Sequence, residues 1–158
     1  MTQTPEEFMR RAIELSRESV VHNLGGPFGA VIVRDGEVLA EGQNRVLVDS
    51  DPTAHAEVVA IRRACSTLQS FSLEGCQLYT SCEPCPMCLG SAWWARMDRI
   101  IYAAGREDAA GIGFDDLLFY AELAMDPPER SVPMDQLLRV EALEPLCIWD
   151  EKEDKTPF

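Results

Sequence analysis

Positive charge is scarce in this chain of 158 residues: 14 Lys plus Arg stand against 27 Asp plus Glu, for a formal net charge of -13. Proteins that grip RNA or DNA draw much of their affinity from neutralising phosphates with Lys and Arg. An acidic chain can still build a local basic groove, but no Lys/Arg cluster here supplies one. Arg62-Arg63, the densest basic pair, reads as the exposed face of a helix. A small uncharged ligand fits this balance better than a polyanion. Long apolar runs are also missing, so no segment reads as a bilayer span. Met1 to Thr4 lack the basic and apolar regions of a signal peptide, and the expected location is the cytoplasm. There is no internal repeat, and the only biased segment is the charged stretch Asp150 to Lys155. The length suits one domain over 1–158 with a real core, so stability need not depend on a metal.

Six cysteines are present: Cys65, Cys76, Cys82, Cys85, Cys88 and Cys147. An even count suits disulfides in a secreted protein, but reduced thiols are the cytosolic default. Cys82, Cys85 and Cys88 are close enough in sequence to suggest a metal site. Cys65, Cys76 and Cys147 have apolar neighbours and are expected to be inert core thiols.

Thr4-Pro5-Glu6-Glu7 predicts a helix start with a capping box, and Phe8, Ala12, Leu15 and Ser19 continue it at helical spacing up to Gly25-Gly26. Phe28 to Arg34 and Glu37 to Gln43 read as strands joined by the Asp35-Gly36 hairpin turn. Ala54 to Leu68 is expected to be a helix, Gln77 to Thr80 a strand, Met87 to Arg96 a helix and Arg99 to Ala103 a strand. Residues 105–116 read as loop. A helix over Leu117 to Ala124 is stopped by Pro127-Pro128, a last strand is expected over Gln136 to Val140, and a terminal helix over Pro145 to Lys152. The alternation predicts an α/β fold, a three-layer α/β/α sandwich around a mixed five-stranded sheet.

One histidine and one cysteine pair have the spacing of a metal site. His55 precedes Glu57 in Thr53-Ala54-His55-Ala56-Glu57, and Pro84-Cys85-Pro86-Met87-Cys88 follows. Zinc takes nitrogen and sulfur ligands, and a catalytic zinc keeps three from the protein and one open position. Cys-x-x-Cys at a helix start lets two thiolates converge where the helix dipole favours negative charge. His55 is expected in the first turn of its own helix. Glu57, two residues on, faces elsewhere, which suits a proton shuttle better than a ligand. A purely structural zinc, with Cys82 as fourth ligand, accounts for the three cysteines but gives no role to Glu57. Cys82 is read as a neighbour of the site.

With both halves present in order, H-x-E and then P-C-x-x-C, the chain resembles the cytidine deaminase-like superfamily of zinc-dependent nucleobase deaminases. Within that superfamily it is similar to the bacterial guanine deaminases. The matching stretches are Gly25 to Ala30, Asn44, Asp51 to Glu57, Thr80 to Cys88, Trp94-Ala95-Arg96 and Gly113 to Asp116. The resemblance implies one Zn2+ per subunit on His55, Cys85 and Cys88, with Glu57 catalytic, and hydrolysis of guanine to xanthine and ammonia. It implies that Asn44 and Asp116 orient the ring, that Phe28 and Trp94 wall it, and that the backbone at Ala30 touches it. It further implies a homodimer in which residues from about 141 to 158 are swapped onto a partner subunit. Phe158, which stands where the family tends to place tyrosine, then covers the neighbouring site. Other substrates in this chemical class are guanosine, cytosine, an aminated triazine and a transfer-RNA adenosine. A zinc-stabilised binding module is the non-enzymatic alternative.

Overall fold

The computed structural model describes residues 3–158. The leader reading of Met1 to Thr4 therefore falls partly on residues 1–2, outside the described residues. The chain divides into two compact units, Met1–Asp116 and Leu117–Phe158.

In the first unit the elements run α1 (Pro5–Val21), β1 (Gly29–Arg34), β2 (Glu37–Gln43), α2 (Val46–Asp49), α3 (Ala56–Leu68), β3 (Cys76–Cys82), α4 (Pro86–Trp94), β4 (Arg99–Ala104) and α5 (Arg106–Ala110). Thr4 caps α1, with the expected reciprocal bonds to Glu7. The four strands pair in the order β2-β1-β3-β4. β1 is antiparallel to both β2 and β3, and β3 is parallel to β4 through the α4 crossover.

Alternation along β1 defines the layers. Ala30 and Ile32 join Ala56, Ala60, Ile61 and Ala64 of α3, and Ala92 of α4, on one face. Val31 and Val33 join Phe8, Ala12 and Leu15 of α1 on the other. The helices close in on both sides because small residues line the contacts. A Cβ at Gly29 would lie 2.2 Å from the Ala12 carbonyl oxygen, and one at Gly42 would lie 2.0 Å from that of Ala56.

The second unit holds α6 (Leu117–Ala124), a 3-10 turn (Pro127–Glu129) and α7 (Arg139–Glu151). Arg130 folds back onto the Glu122 and Met125 carbonyl oxygens, and Trp149 meets Phe158 edge-on at 6.1 Å between ring centroids. No residue of α6 or α7 is buried.

Several sequence expectations are corrected. Among the described residues the sheet has four strands rather than five, because Gln136 to Val140 forms no strand. Leu138 instead turns to a φ of 54° and caps α7, accepting the Ala142 N–H at 3.0 Å. That helix starts at Arg139 and takes Pro145 into its interior. α2 was not anticipated, and α5 lies inside the segment read as loop. Cys147 is exposed and so is no core thiol, while Cys65 is half-buried. All six cysteines are free. Among the described residues, no helix is long and apolar enough to cross a membrane.

Candidate active site

The carboxyl ends of parallel strands are where α/β folds place ligands, and β3 leads directly into the Pro84-Cys85 turn at its end. Cys85 is the N-cap of α4, with φ -66° and ψ 167°, and Pro86 starts the helix. Across from it His55 is the N-cap of α3, with φ -68° and ψ 153°. This corrects the expected placement of His55 inside the first helical turn. The His55 ring makes no capping hydrogen bond to α3, and both it and Glu57 reach Cys88 Sγ.

These two helix starts bring together His55 Nδ1, Cys85 Sγ and Cys88 Sγ. The nitrogen is 3.6 Å from Cys85 Sγ and 3.5 Å from Cys88 Sγ, and the sulfurs are 3.5 Å apart. Tetrahedral zinc, with bonds of ~2.3 Å to sulfur and ~2.05 Å to nitrogen, spaces its ligand atoms ~3.8 Å apart for S–S and ~3.5 Å for N–S. The N–S separations match the ion, and the S–S separation needs to open by only about 0.3 Å. Among the described residues this is the group able to hold a metal, and Cys82 is outside it.

Electrostatics agree with that fit. Hydrogen bonding from the Cys88 thiol, and then the His55 ring, brings the Cys85 thiol down to about 4. Cys88 moves up, because its proton is held between Cys85 and Glu57 in a buried position. His55 is raised by its hydrogen bond to the Cys85 thiolate. Three donors this close share protons, whereas a divalent cation in their midst allows both thiols to ionise.

Glu57 is 5 % exposed, and its Oε2 lies 3.4 Å from Cys88 Sγ. Burial pushes its carboxyl above the usual range. Its Oε1 is 3.2 Å from Thr80 Oγ1, which also lies 3.1 Å from the Cys82 carbonyl oxygen. The hydroxyl has one proton, so it donates to Glu57 when that group is ionised. When Glu57 is protonated, the hydroxyl can accept from it and donate to Cys82. The shuttle group thus has a partner in both of its states.

The residues expected to meet a ring are distributed unevenly. Asn44, 4 % exposed, accepts the N–H groups of Gly26 at 3.1 Å and Val46 at 3.3 Å on Oδ1. Backbone N–H groups can bond only the oxygen, so the amide orientation is fixed and Nδ2 is left as a donor. Ser19, fully buried on α1, lies 2.9 Å from both the Gly26 and Asn44 carbonyl oxygens. A Cβ at Gly25 would sit 2.0 Å from Asn44 Oδ1. Phe28 meets Phe114 edge-on at 5.0 Å. Ala30 is buried in β1 opposite Thr80. Asp116 has a buried Oδ1 with no hydrogen-bond partner among the described residues, and burial, followed by the nearby Cys85 charge, raises its carboxyl. Trp94 ends α4 and is 67 % exposed, and Phe158 is 66 % exposed.

Thr80 and Phe114 had no assigned role in the sequence, and Ser19 was placed only on the periodic face of α1. Spacing shows that a hydroxyl faces inward but not what it bonds, and Phe114 was noticed only as part of a matching stretch. Cys82 is buried; its Sγ lies 3.7 Å from the Gly105 carbonyl oxygen, and burial pushes its thiol up to about 11.

A mixed sheet with a His/Cys/Cys metal triangle and a buried carboxylate beside it, both at its parallel edge, defines a hydrolase site of the metal-assisted type. The family described as the cytidine and deoxycytidylate deaminase zinc-binding region matches residues 2–104, and the chain belongs to it. Guanine deaminase of Bacillus subtilis is 50% identical over 153 residues, covering 97% of this chain and 98% of that protein. The X-ray structure of guanine deaminase from Bacillus subtilis superposes with a TM-score of 0.96 at 49% identity, over 99% of each chain. A tRNA-specific adenosine deaminase of Aquifex aeolicus is 42% identical over 86 residues, 54% of this chain and 57% of that protein.

Proposed function

We propose that this chain is a zinc-dependent guanine deaminase, converting guanine and water to xanthine and ammonia. The observation that carries the chemistry is the His55, Cys85 and Cys88 triangle with the buried Glu57 carboxylate 3.4 Å from one of its corners. The choice of guanine rests on likeness to the Bacillus subtilis enzyme over 97% of the chain, against 54% and 70% for two tRNA-specific adenosine deaminases. The net charge of -13 also argues against an RNA substrate.

His55, Cys85 and Cys88 hold the zinc, one per subunit. When bound there, zinc lowers the pKa of water and so supplies a nucleophile at neutral pH. Glu57 takes a proton from the attacking water and delivers it to the ring nitrogen next to the reacting carbon. It then passes the second proton of that water to the departing amine, which leaves as ammonia. Thr80 holds the carboxyl between transfers. Asn44 Nδ2 donates to an acceptor on the ring, and Asp116 Oδ1 accepts from a ring N–H. Phe28 forms an aromatic wall, and the backbone at Ala30 lies along the ring edge.

We place Trp94 and Phe158 as walls completed in a homodimer, with the segment from about 141 to 158 covering the partner's site. The exposed apolar side chains of α7, such as Val140 and Leu146, support a covering surface there. Six free cysteines are consistent with a reducing compartment, the cytoplasm.

Ammonia release from zinc-loaded protein tests the reading, with guanine, guanosine, adenine, cytosine and an RNA hairpin as the panel. Turnover of guanine well above the others is expected. Preference for another amine would keep the metal chemistry and discard guanine, and silence on the whole panel would favour a non-catalytic zinc module. Deleting residues 156–158 is expected to lower turnover, and an unchanged rate would remove the capping role of Phe158.

A further inference from the structure

Glu83 stands directly before the Pro84-Cys85 turn, and its carboxylate is occupied by Arg106 at the start of α5. Arg106 Nε donates to Oε1 at 3.0 Å, Nη2 donates to the same oxygen, and the Arg106 backbone N–H donates to Oε2 at 3.2 Å. The Glu83 N–H donates to the Ala104 carbonyl oxygen at 2.8 Å. The arginine is 29% exposed and the glutamate 19%. A pair this open contributes little stability, but the guanidinium fork converging on Oε1, together with the Arg106 backbone N–H on Oε2, fixes the direction of the carboxylate as well as its distance.

What the fork holds is a small rigid block. The Gly105 N–H donates to Asp108 Oδ2 at 2.9 Å. The N–H groups of Gly111, Ile112, Gly113 and Phe114 donate back to Glu107, Ala109, Ala110 and Ala109, at 3.0 to 3.1 Å. From Gly105 to Phe114 the chain is therefore tied to itself turn by turn. The block's far end carries Phe114 against Phe28, and Asp116 with its partnerless Oδ1 follows. Its near end touches the metal-ligand turn through the Glu83 fork and the longer Cys82–Gly105 contact.

We infer that Glu83 and Arg106 are positioning residues that set the Phe114–Asp116 segment at a fixed distance from the Cys85 and Cys88 ligands, and so determine how a base is held against the reacting site. The inference rests on the deaminase reading above for the role of Asp116. It assigns this pair to substrate placement rather than to metal retention. Misplacing an orienting group by about 1 Å costs on the order of 100-fold in kcat/KM.

The test uses full-length zinc-loaded protein carrying Arg106→Met, Arg106→Lys, Asp116→Asn, or Arg106→Met combined with Asp116→Asn. Arg106→Met is expected to keep one zinc per chain and raise KM for guanine on the order of 10- to 100-fold, with a smaller change in kcat. Arg106→Lys, which keeps the charge but not the fork, should recover part of the loss. In the Asp116→Asn background the same Arg106→Met change should add less than about 2-fold, since the group it positions is already gone. Additive effects, unchanged KM, or zinc loss in proportion to activity would each overturn the inference. Amide hydrogen exchange gives a readout free of any substrate: Arg106→Met should speed exchange over residues 105–116 and leave residues 85–94 protected. Unchanged exchange overturns the inference, whereas a wild-type protein that ignores guanine overturns only the substrate reading.

Discussion

Replacing Glu57 by Gln separates proton transfer from every other task of the site. Gln has nearly the same volume, and its Oε1 can still accept from Thr80 Oγ1, now 3.2 Å from the carboxylate. It cannot take a proton from water and return it. General acid–base catalysis contributes about 10²–10⁴-fold for a single transfer. Glu57 is assigned two transfers, so the loss in kcat should reach the upper end, about 10⁴-fold. At 1.36 kcal/mol per decade this is about 5.4 kcal/mol of barrier. Stability should move the other way or not at all. Burial raises the Glu57 carboxyl, so its charged form opposes folding, and a neutral amide removes that cost. The assay is ammonia release with zinc per chain and thermal unfolding measured on the same preparation. A variant that keeps its zinc and more than a tenth of wild-type turnover would refute the shuttle role. One that loses zinc together with activity would recast Glu57 as a ligand.

Asn44→Asp keeps an oxygen facing the Gly26 and Val46 N–H groups but replaces the Nδ2 donor with an acceptor. It should fold and bind zinc while KM for guanine rises about 10- to 100-fold, the cost of an unmade buried hydrogen bond; unchanged KM would remove Asn44 from the ring contacts. Asp116→Asn tests the sign of a raised carboxyl. The folded-state pKa of Asp116 lies above its ordinary 3.8, so its ionisation opposes folding, and that penalty grows as pH rises from the ordinary value through the raised one. The Asn variant should therefore gain thermal stability relative to wild type at pH 7 but not near pH 4, while losing kcat/KM. Wild-type kcat/KM should decline on the acid side as Asp116 takes up a proton. Stripping zinc with a chelator should abolish turnover yet leave the circular dichroism nearly unchanged, because the core formed by Ile32, Leu73 and Leu78 contains no ligand. Stripping should add a fast-reacting thiol, Cys85, brought down to about 4, to the labelling of the exposed Cys147; zinc should protect Cys85, and equal labelling of it with and without metal would count against the ligand set.

The sequence by itself determined the features that depend on residues close together in the chain. The Thr4/Glu7 capping box, the Asp35-Gly36 hairpin and the Leu117–Ala124 helix are local, and they form where their residues place them. The chemistry was legible for the same reason: His55, Glu57, Cys85 and Cys88 sit at helix starts, where a two- or three-residue spacing already fixes which side chains can converge. Tertiary structure decided what local pattern leaves open. Gln136 to Val140 has a strand's composition, but a strand needs a neighbour to satisfy its backbone, and the Leu138 carbonyl oxygen found the Ala142 N–H of a helix instead. The orientation of the Asn44 amide is set by Gly26, 18 residues away, together with the local Val46 N–H, and the Glu57 partner Thr80 lies 23 residues on. Glu83 and Arg106 are likewise 23 residues apart. Local spacing identified the chemical groups, but their orientation depends on hydrogen bonds between residues that only folding brings into contact.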